Sequence, residues 1–205
     1  AARYFYQGSP TGSWHPGERL RDREIVLLGS GEGVSLHRRA IEAYIRRQSP
    51  LVMALNTQSS ISADLIDLRV ACHPIRLLAD CETHLRLPQP LITPYSMLPD
   101  DVRWELAGKS VYDYGIAVQE DTFAPGDTHC TLPSPLVVAY ALAIATSGGA
   151  SRVMMAGFDG YGADDPRTHE MQELIDLYRG HEEAIETISV TPTRYSLPTQ
   201  SIYAL

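Results

Sequence analysis

Arg23 to Ser35 reads REIVLLGSGEGVS: four apolar residues in succession, Ile25 to Leu28, then glycines at 29, 31 and 33. An unbroken apolar run leaves no polar face for solvent, so it is predicted to be a strand covered on both sides, as in a parallel sheet. The glycines mark a tight turn, and SLHRRAIEAYIRRQS then carries Leu36, Ala40, Ile41, Tyr44 and Ile45 at helical spacing. PLVMALNT repeats the apolar run and ends in Asn56 and Thr57. Strand, helix and strand within about 30 residues make a βαβ unit, right-handed by default.

The alternation continues. ISADLIDL reads as a short helix, VACHPIRLLAD as the end of a strand near Asp80, and QPLITPYSML as a strand limited by Pro90 and Pro94. One strand is expected at Ser110–Val118. SPLVVAYALAIATSGG is a long apolar helix, with Pro135 in its first turn and Gly148-Gly149 as its stop. A strand at 152–156, a loop and a helix at 168–179 capped by Thr168 follow, then one or two edge strands in ETISVTPTRYSLPTQSIYAL. The order implies an α/β fold, an open and mostly parallel sheet with helices on both faces, as a single domain over 23–205. Residues 1–22 read as a linker or a packing segment. The first residue is not methionine, and the domain is expected to be the C-terminal part of a longer protein.

A chain of 205 residues is long enough for one substantial core. Its net charge of −8 argues against a nucleic-acid surface, which needs a basic patch. Cys72, Cys81 and Cys130 form no Cys-x-x-Cys pair, so a reduced, cytoplasmic protein without a metal site is expected. No apolar run approaches the roughly 20 residues that cross a bilayer, so no transmembrane segment is expected.

Ligands of open α/β sheets bind beyond the carboxyl ends of the strands, and polar residues crowd three of those ends. Gly29, Ser30, Gly31 and Gly33 fit neither G-x-G-x-x-G nor the phosphate-loop pattern, yet such a turn brings backbone amides close to a phosphate. The other reading is a tight turn that simply wants glycine. Asn56 and Gln58 offer amides to a base or sugar edge; the other reading is helix capping by Ser59, Ser60 or Ser62. Thr131 and Ser134 precede the apolar helix, as anion ligands or plain caps, and His129 beside them reads as an acid or base or as a merely solvated loop histidine. Asp159 and Tyr161 follow the strand at 152–156, and Asp164, Asp165, Arg167, His169 and Glu170 come next. His169 and His181 are the candidate acids or bases, with Asp159. Arg194 and Tyr195 face the same site or form an edge strand shielded by Pro192.

IVLLGSGEGVSL, MALNTQ, the Thr/Ser-led apolar helix and VMMAGFDGY occur here in an order that resembles bacterial sialyltransferase-like proteins, over roughly residues 24 to 165. The resemblance implies a Rossmann-like domain and a CMP-sugar donor used without metal in surface polysaccharide synthesis. It implicates Gly29, Gly31, Asn56, Gln58, Thr131, Ser134, Gly157, Asp159 and Tyr161 in the nucleotide pocket. Glu32 and Gly33 depart from that family's first loop, and its histidine motif is absent, which leaves His169 and His181 as positional candidates. The stretches AGFDGYGADDPRTHEMQELIDLY and SVTPTRYSLPTQSIYAL are also similar to the carboxyl-terminal extension of aldolase-like proteins. There the domain would regulate or dock an amino-terminal TIM barrel of the hydroxymethylglutaryl-lyase or 4-hydroxy-2-oxovalerate aldolase type in the same chain. A pterin or nucleotide phosphotransferase is the third reading.

Overall fold

The computed structural model describes residues 6–205; the first five residues of the expected 1–22 segment lie outside them. Ten strands and eight α-helices follow in order among the described residues. They begin α1 (Gly17–Leu20), β1 (Glu24–Leu28), α2 (Gly33–Leu36), α3 (Arg38–Gln48), β2 (Leu51–Leu55), β3 (Leu68–Val70), α4 (Pro74–Ala79), α5 (Cys81–Arg86) and β4 (Leu91–Thr93). The rest are α6 (Asp100–Glu105), β5 (Val111–Asp113), β6 (Gly115–Val118), β7 (Ala124–Pro125), β8 (His129–Leu132), α7 (Val137–Ser147), β9 (Arg152–Ala156), α8 (Pro166–Arg179) and β10 (Glu186–Ser189).

The apolar runs do what their composition demands. β1, β2 and β9 lie beside one another in parallel, Ile25 opposite Leu51 and Val153, at the centre of a seven-stranded sheet ordered β10-β9-β1-β2-β3-β4-β5. Every pairing in that sheet is parallel, and the sheet is open rather than closed into a barrel. Successive side chains point to opposite faces. Ile25, Leu27, Met53 and Met155 therefore pack with α7 and α8, while Val26, Leu28, Val52 and Met154 pack with Ile41, Tyr44 and Ile45 of α3. Burying each such side chain stabilises the fold by roughly 1.5–3 kcal/mol before chain entropy is counted. A third cluster joins Ala71 and Leu91 to Leu77, Val102 and Leu106 under α4 and α6.

Several boundaries differ from expectation. The strand near Asp80 ends at Val70, and His73-Pro74 starts a helix there because proline fits the first helical turn. The single strand at Ser110–Val118 divides at Tyr114. Its first half, β5, completes the large sheet, and its second half, β6, pairs with β8 in a separate three-stranded sheet. Tyr114 is fully buried at that break and donates its hydroxyl to the Gly126 carbonyl. The helix after Gly33 is interrupted at His37, leaving Leu36 72% exposed instead of in the core. Pro135 precedes α7 rather than lying in its first turn. α8 starts at Pro166, capped by Asp165 accepting the Arg167 N–H, and not by Thr168.

Ahead of β1 the chain is part of the core. Tyr6, Trp14 and Leu20 are buried, and Trp14 stacks on Tyr112 with ring centroids 4.9 Å apart. α7, buried from Val138 to Ala145, lies between the large sheet and the small one. That burial fixes where its first turn emerges.

Candidate functional site

The sheet order places β2 on one side of β1 and β9 on the other, the reversal at which an open α/β sheet leaves a crevice. A cleft of about 960 Å³ occupies that place. Its lining comes from the ends of four strands: Gly29–Glu32 after β1, Asn56 after β2, Cys72 and His73 after β3, and Gly157–Gly162 after β9. Pro135, Leu136 and the first two residues of α7, Val137 and Val138, close it with Ile75 and Arg76 of α4, Met171 of α8, and Arg194-Tyr195.

One wall is backbone against backbone. The Gly31 N–H donates to the Gly157 carbonyl at 2.7 Å, and a Cβ at Gly31 would lie 2.5 Å from that oxygen. Gly157 adopts φ +80, a left-handed conformation natural to glycine. The Asp159 carboxylate accepts the Gly33 N–H, at 3.0 Å and 3.3 Å to its two oxygens. The amide that opens α2 is thus held by a carboxylate of the protein itself, and a phosphate has no claim on it. Behind this wall, Gln58 donates its side-chain amide to the Gly29 carbonyl. Buried Arg69 donates to the Asn56 and Gln58 carbonyls at 3.3 Å and 2.7 Å, fixing the turn where Asn56 takes φ 53.

The facing wall is different in kind. Leu136, the residue before α7, makes no capping hydrogen bond with its side chain, and the N–H of Val137, the first residue of the helix, donates to nothing among the described residues. His73 caps α4 by accepting the Arg76 N–H on Nδ1 at 3.4 Å, so the ring's other nitrogen, Nε2, carries the proton in the neutral form. Cys72 beside it is fully buried, and burial pushes its thiol up to about 12, which removes it as a nucleophile near neutrality.

Tyr161 and Arg194 form the outer lip. The Arg167 guanidinium lies 4.1 Å from the centre of the Tyr161 ring, and Arg194 donates to the Tyr161 carbonyl at 2.8 Å. Arg167 also grips Asp165, and its side-chain and backbone hydrogen bonds hold that carboxyl down at about 2. Tyr195 is pushed up to about 12, chiefly by burial and then by the neighbouring Tyr161 and Asp165. It stays neutral at any physiological pH.

Of the residues singled out from sequence, Gly29, Ser30, Gly31, Asn56, Gly157, Asp159 and Tyr161 meet on this cleft, with Arg194 and Tyr195. Gly33 and Gln58 stand behind the wall and support it. Thr131, expected at the head of the apolar helix, lies instead in β8, because HCTL is an alternating strand with Cys130 and Leu132 buried. Ser134 is 8% exposed and precedes the turn that reaches the cleft, and His129 lies in β8. His169 is on the first turn of α8, 3.0 Å from Glu173, and His181 packs edge-on against Phe123; neither lines the cleft. His73 and Arg76 were missed because a strand was drawn through them. The dipeptide His73-Pro74 was the available signal, a polar residue followed by a helix-starting proline. Among the described residues, no three His, Cys, Asp or Glu side chains are grouped as a metal would require. No described helix is long and apolar enough to cross a membrane.

These features define an open Rossmann-like α/β domain with its crevice at the switch point. No family model and no curated protein matches the chain. Among solved structures it is similar to the MAf glycosyltransferase from Magnetospirillum magneticum AMB-1, with a TM-score of 0.68 at 13% identity. The likeness covers 100% of this chain and 38% of that one, so the chain spans well under half the length of its structural neighbour. At that identity the likeness is one of fold.

Proposed function

We propose that the cleft binds a nucleotide or nucleotide sugar and that the domain serves sugar transfer, with a CMP-sugar as the first donor to test. The setting implied by the sialyltransferase-like resemblance is bacterial surface polysaccharide synthesis. The observation that carries this reading is the uncapped start of α7 on the wall of a switch-point cleft. Free amides at the positive end of a buried helix suit a phosphate, and Arg76 and Arg194 add charge beside them. Ser30, Asn56 and the acceptor capacity left on Asp159 would take ribose or sugar hydroxyls. The fold likeness to a glycosyltransferase supports the same class.

In such a transfer an acceptor hydroxyl attacks the anomeric carbon and gives its proton to the Asp159 carboxylate, the bond to the phosphate oxygen breaks, and the nucleotide leaves with its negative charge. The α7 amides would hold that charge as it develops. Of His73, His129, His169 and His181, His73 is the one on the cleft wall. It takes the place that the sequence gave to His169 or His181: its Nε2–H would donate a hydrogen bond to the departing phosphate.

Ile75, Leu78, Leu85 and Trp104 are 58%, 38%, 45% and 83% exposed on the mutually packed helices α4, α5 and α6. These apolar side chains favour, as a second reading, a docking domain for an aldolase-type barrel. Thermal unfolding with CMP, CDP, UDP and NAD separates the two. A ligand at a hundred times its dissociation constant stabilises by about 2.7 kcal/mol, which raises the midpoint by about 5–10 °C in a chain of this size. No response to any nucleotide would overturn the first reading.

A further inference from the structure

A second hollow, of about 370 Å³, opens beyond the carboxyl end of β10 and shares no lining residue with the cleft. Thr191 stands between the two. Its hydroxyl accepts the Gly157 N–H at 3.0 Å and lies 3.1 Å from where a Cβ at Gly33 would be. On the far side the lining runs through Thr199, Gln200, Ser201 and Tyr203, with His37 opposite.

We propose that this hollow is a carbohydrate-binding site for a neutral mono- or disaccharide, separate from the nucleotide cleft. Its chemistry is selective. The lining holds no Asp, Glu, Lys or Arg, so nothing in it balances a phosphate or carboxylate, whereas hydroxyl, carboxamide and imidazole groups suit a neutral polyol. The Gln200 carboxamide, the Thr199 hydroxyl and Nε2 of His37 make no hydrogen bond among the described residues, so they are free to donate and accept. Tyr203 supplies a flat apolar face, 70% exposed, of the kind on which the C–H side of a sugar ring packs by dispersion.

That ring is exposed yet held. Its hydroxyl is 3.0 Å from Nδ1 of His37, and the two rings meet edge to face at 5.6 Å. Ser201 caps the short 3₁₀ turn at Ile202–Ala204, and Arg47 donates to the Leu205 carbonyl at 2.6 Å, tying the segment that follows the turn to α3. An aromatic platform fixed before the ligand arrives loses little entropy on binding.

The test is heteronuclear NMR of the labelled protein titrated with maltose, cellobiose and lactose. At least one disaccharide should move the amide signals of His37 and 199–203 and leave those of Gly29–Glu32 in place. Tyr203→Ala or Gln200→Ala should weaken that binding about tenfold, with Tyr203→Phe retaining most of it because the ring survives. Unfolding midpoints of the variants report whether the fold is intact. Silence towards all three sugars, unchanged binding in Tyr203→Ala, or movement of 199–203 by CMP or inorganic phosphate instead would each overturn the proposal. The nucleotide reading does not bear on the result, since the thermal response to CMP reports the other cavity.

Discussion

On the β1–β9 side of the cleft, main chain touches main chain: Gly29, Gly31 and Gly157 leave no room for a Cβ, and Asp159 accepts the Gly33 N–H. On the α4–α7 side, side chains stand apart, a helix starts without a cap, and Ile75 is largely exposed. The first wall ties the amides of Gly29, Gly31, Gly33 and Gly157 to the protein itself. The second keeps donors that only water or a ligand can use. Crowded glycines after a strand therefore say where a cleft lies, and the unfinished helix is what the proposed phosphate site rests on.

The largest expected effect breaks the closed wall. Gly157→Ala must adopt φ near +80 and put its Cβ 2.4 Å from the Val34 side chain and 3.0 Å from the Gly29 carbonyl. Backbone strain and overpacking together should cost about 3–4 kcal/mol in urea unfolding. Gly162→Ala, on the same loop with nothing within 4 Å, should stay within about 0.5 kcal/mol. Equal effects at the two sites would show that the wall is not closed.

Next in size is a test of the floor behind the open side, where β3 and α5 bury a cationic cluster. His84 is 1% exposed and its Nδ1 has no partner; burial, and then the charge of Lys109, lower its pKa to about 4. The unfolded chain takes up this proton near 6.5, the folded one only near 4. Stability should therefore fall as pH drops through that window and level off below it, by roughly 3 kcal/mol at full extent. His84→Gln should remove that part of the slope in acid unfolding series, and a slope unchanged by it would assign the loss to other groups.

Asp159→Ala is a milder probe of the closed wall. It leaves the Gly33 N–H unpaired, and about 1–2 kcal/mol of stability should go with it. A neutral outcome would mean that water replaces the carboxylate and that the amide was available to a ligand after all.

What the chain disclosed about itself follows the same division. β1, β2 and β9 were legible because strands buried on both faces must be continuously apolar, and the polar groups at their ends pointed to the cleft. β3 was not, since three residues with Arg69 in the middle resemble no strand, and that misplaced boundary concealed His73 and Arg76. The small sheet was illegible because its strands are two to four residues long and pair across the sequence. Gly33 looked like a phosphate amide because its own partner is Asp159, 126 residues away. The α7 amides carry no side-chain signature at all, since any residue supplies an N–H.

The smallest expected change in stability tests the open wall where its donors are. Proline at position 137 would occupy the first residue of α7, where no intrahelical bond is lost, and Leu136 before it already has ψ 135, the extended conformation proline requires of its predecessor. Val137→Pro should thus shift unfolding by less than about 1 kcal/mol while deleting one unpartnered donor from the cleft. If that donor binds phosphate, nucleotide affinity should fall about tenfold or more by calorimetry, the scale of one hydrogen bond to a charged group. An unchanged affinity in a folded Val137→Pro protein would move the anion site to Arg76 and Arg194, and the contrast between the two walls would then rest on side chains instead of a helix end.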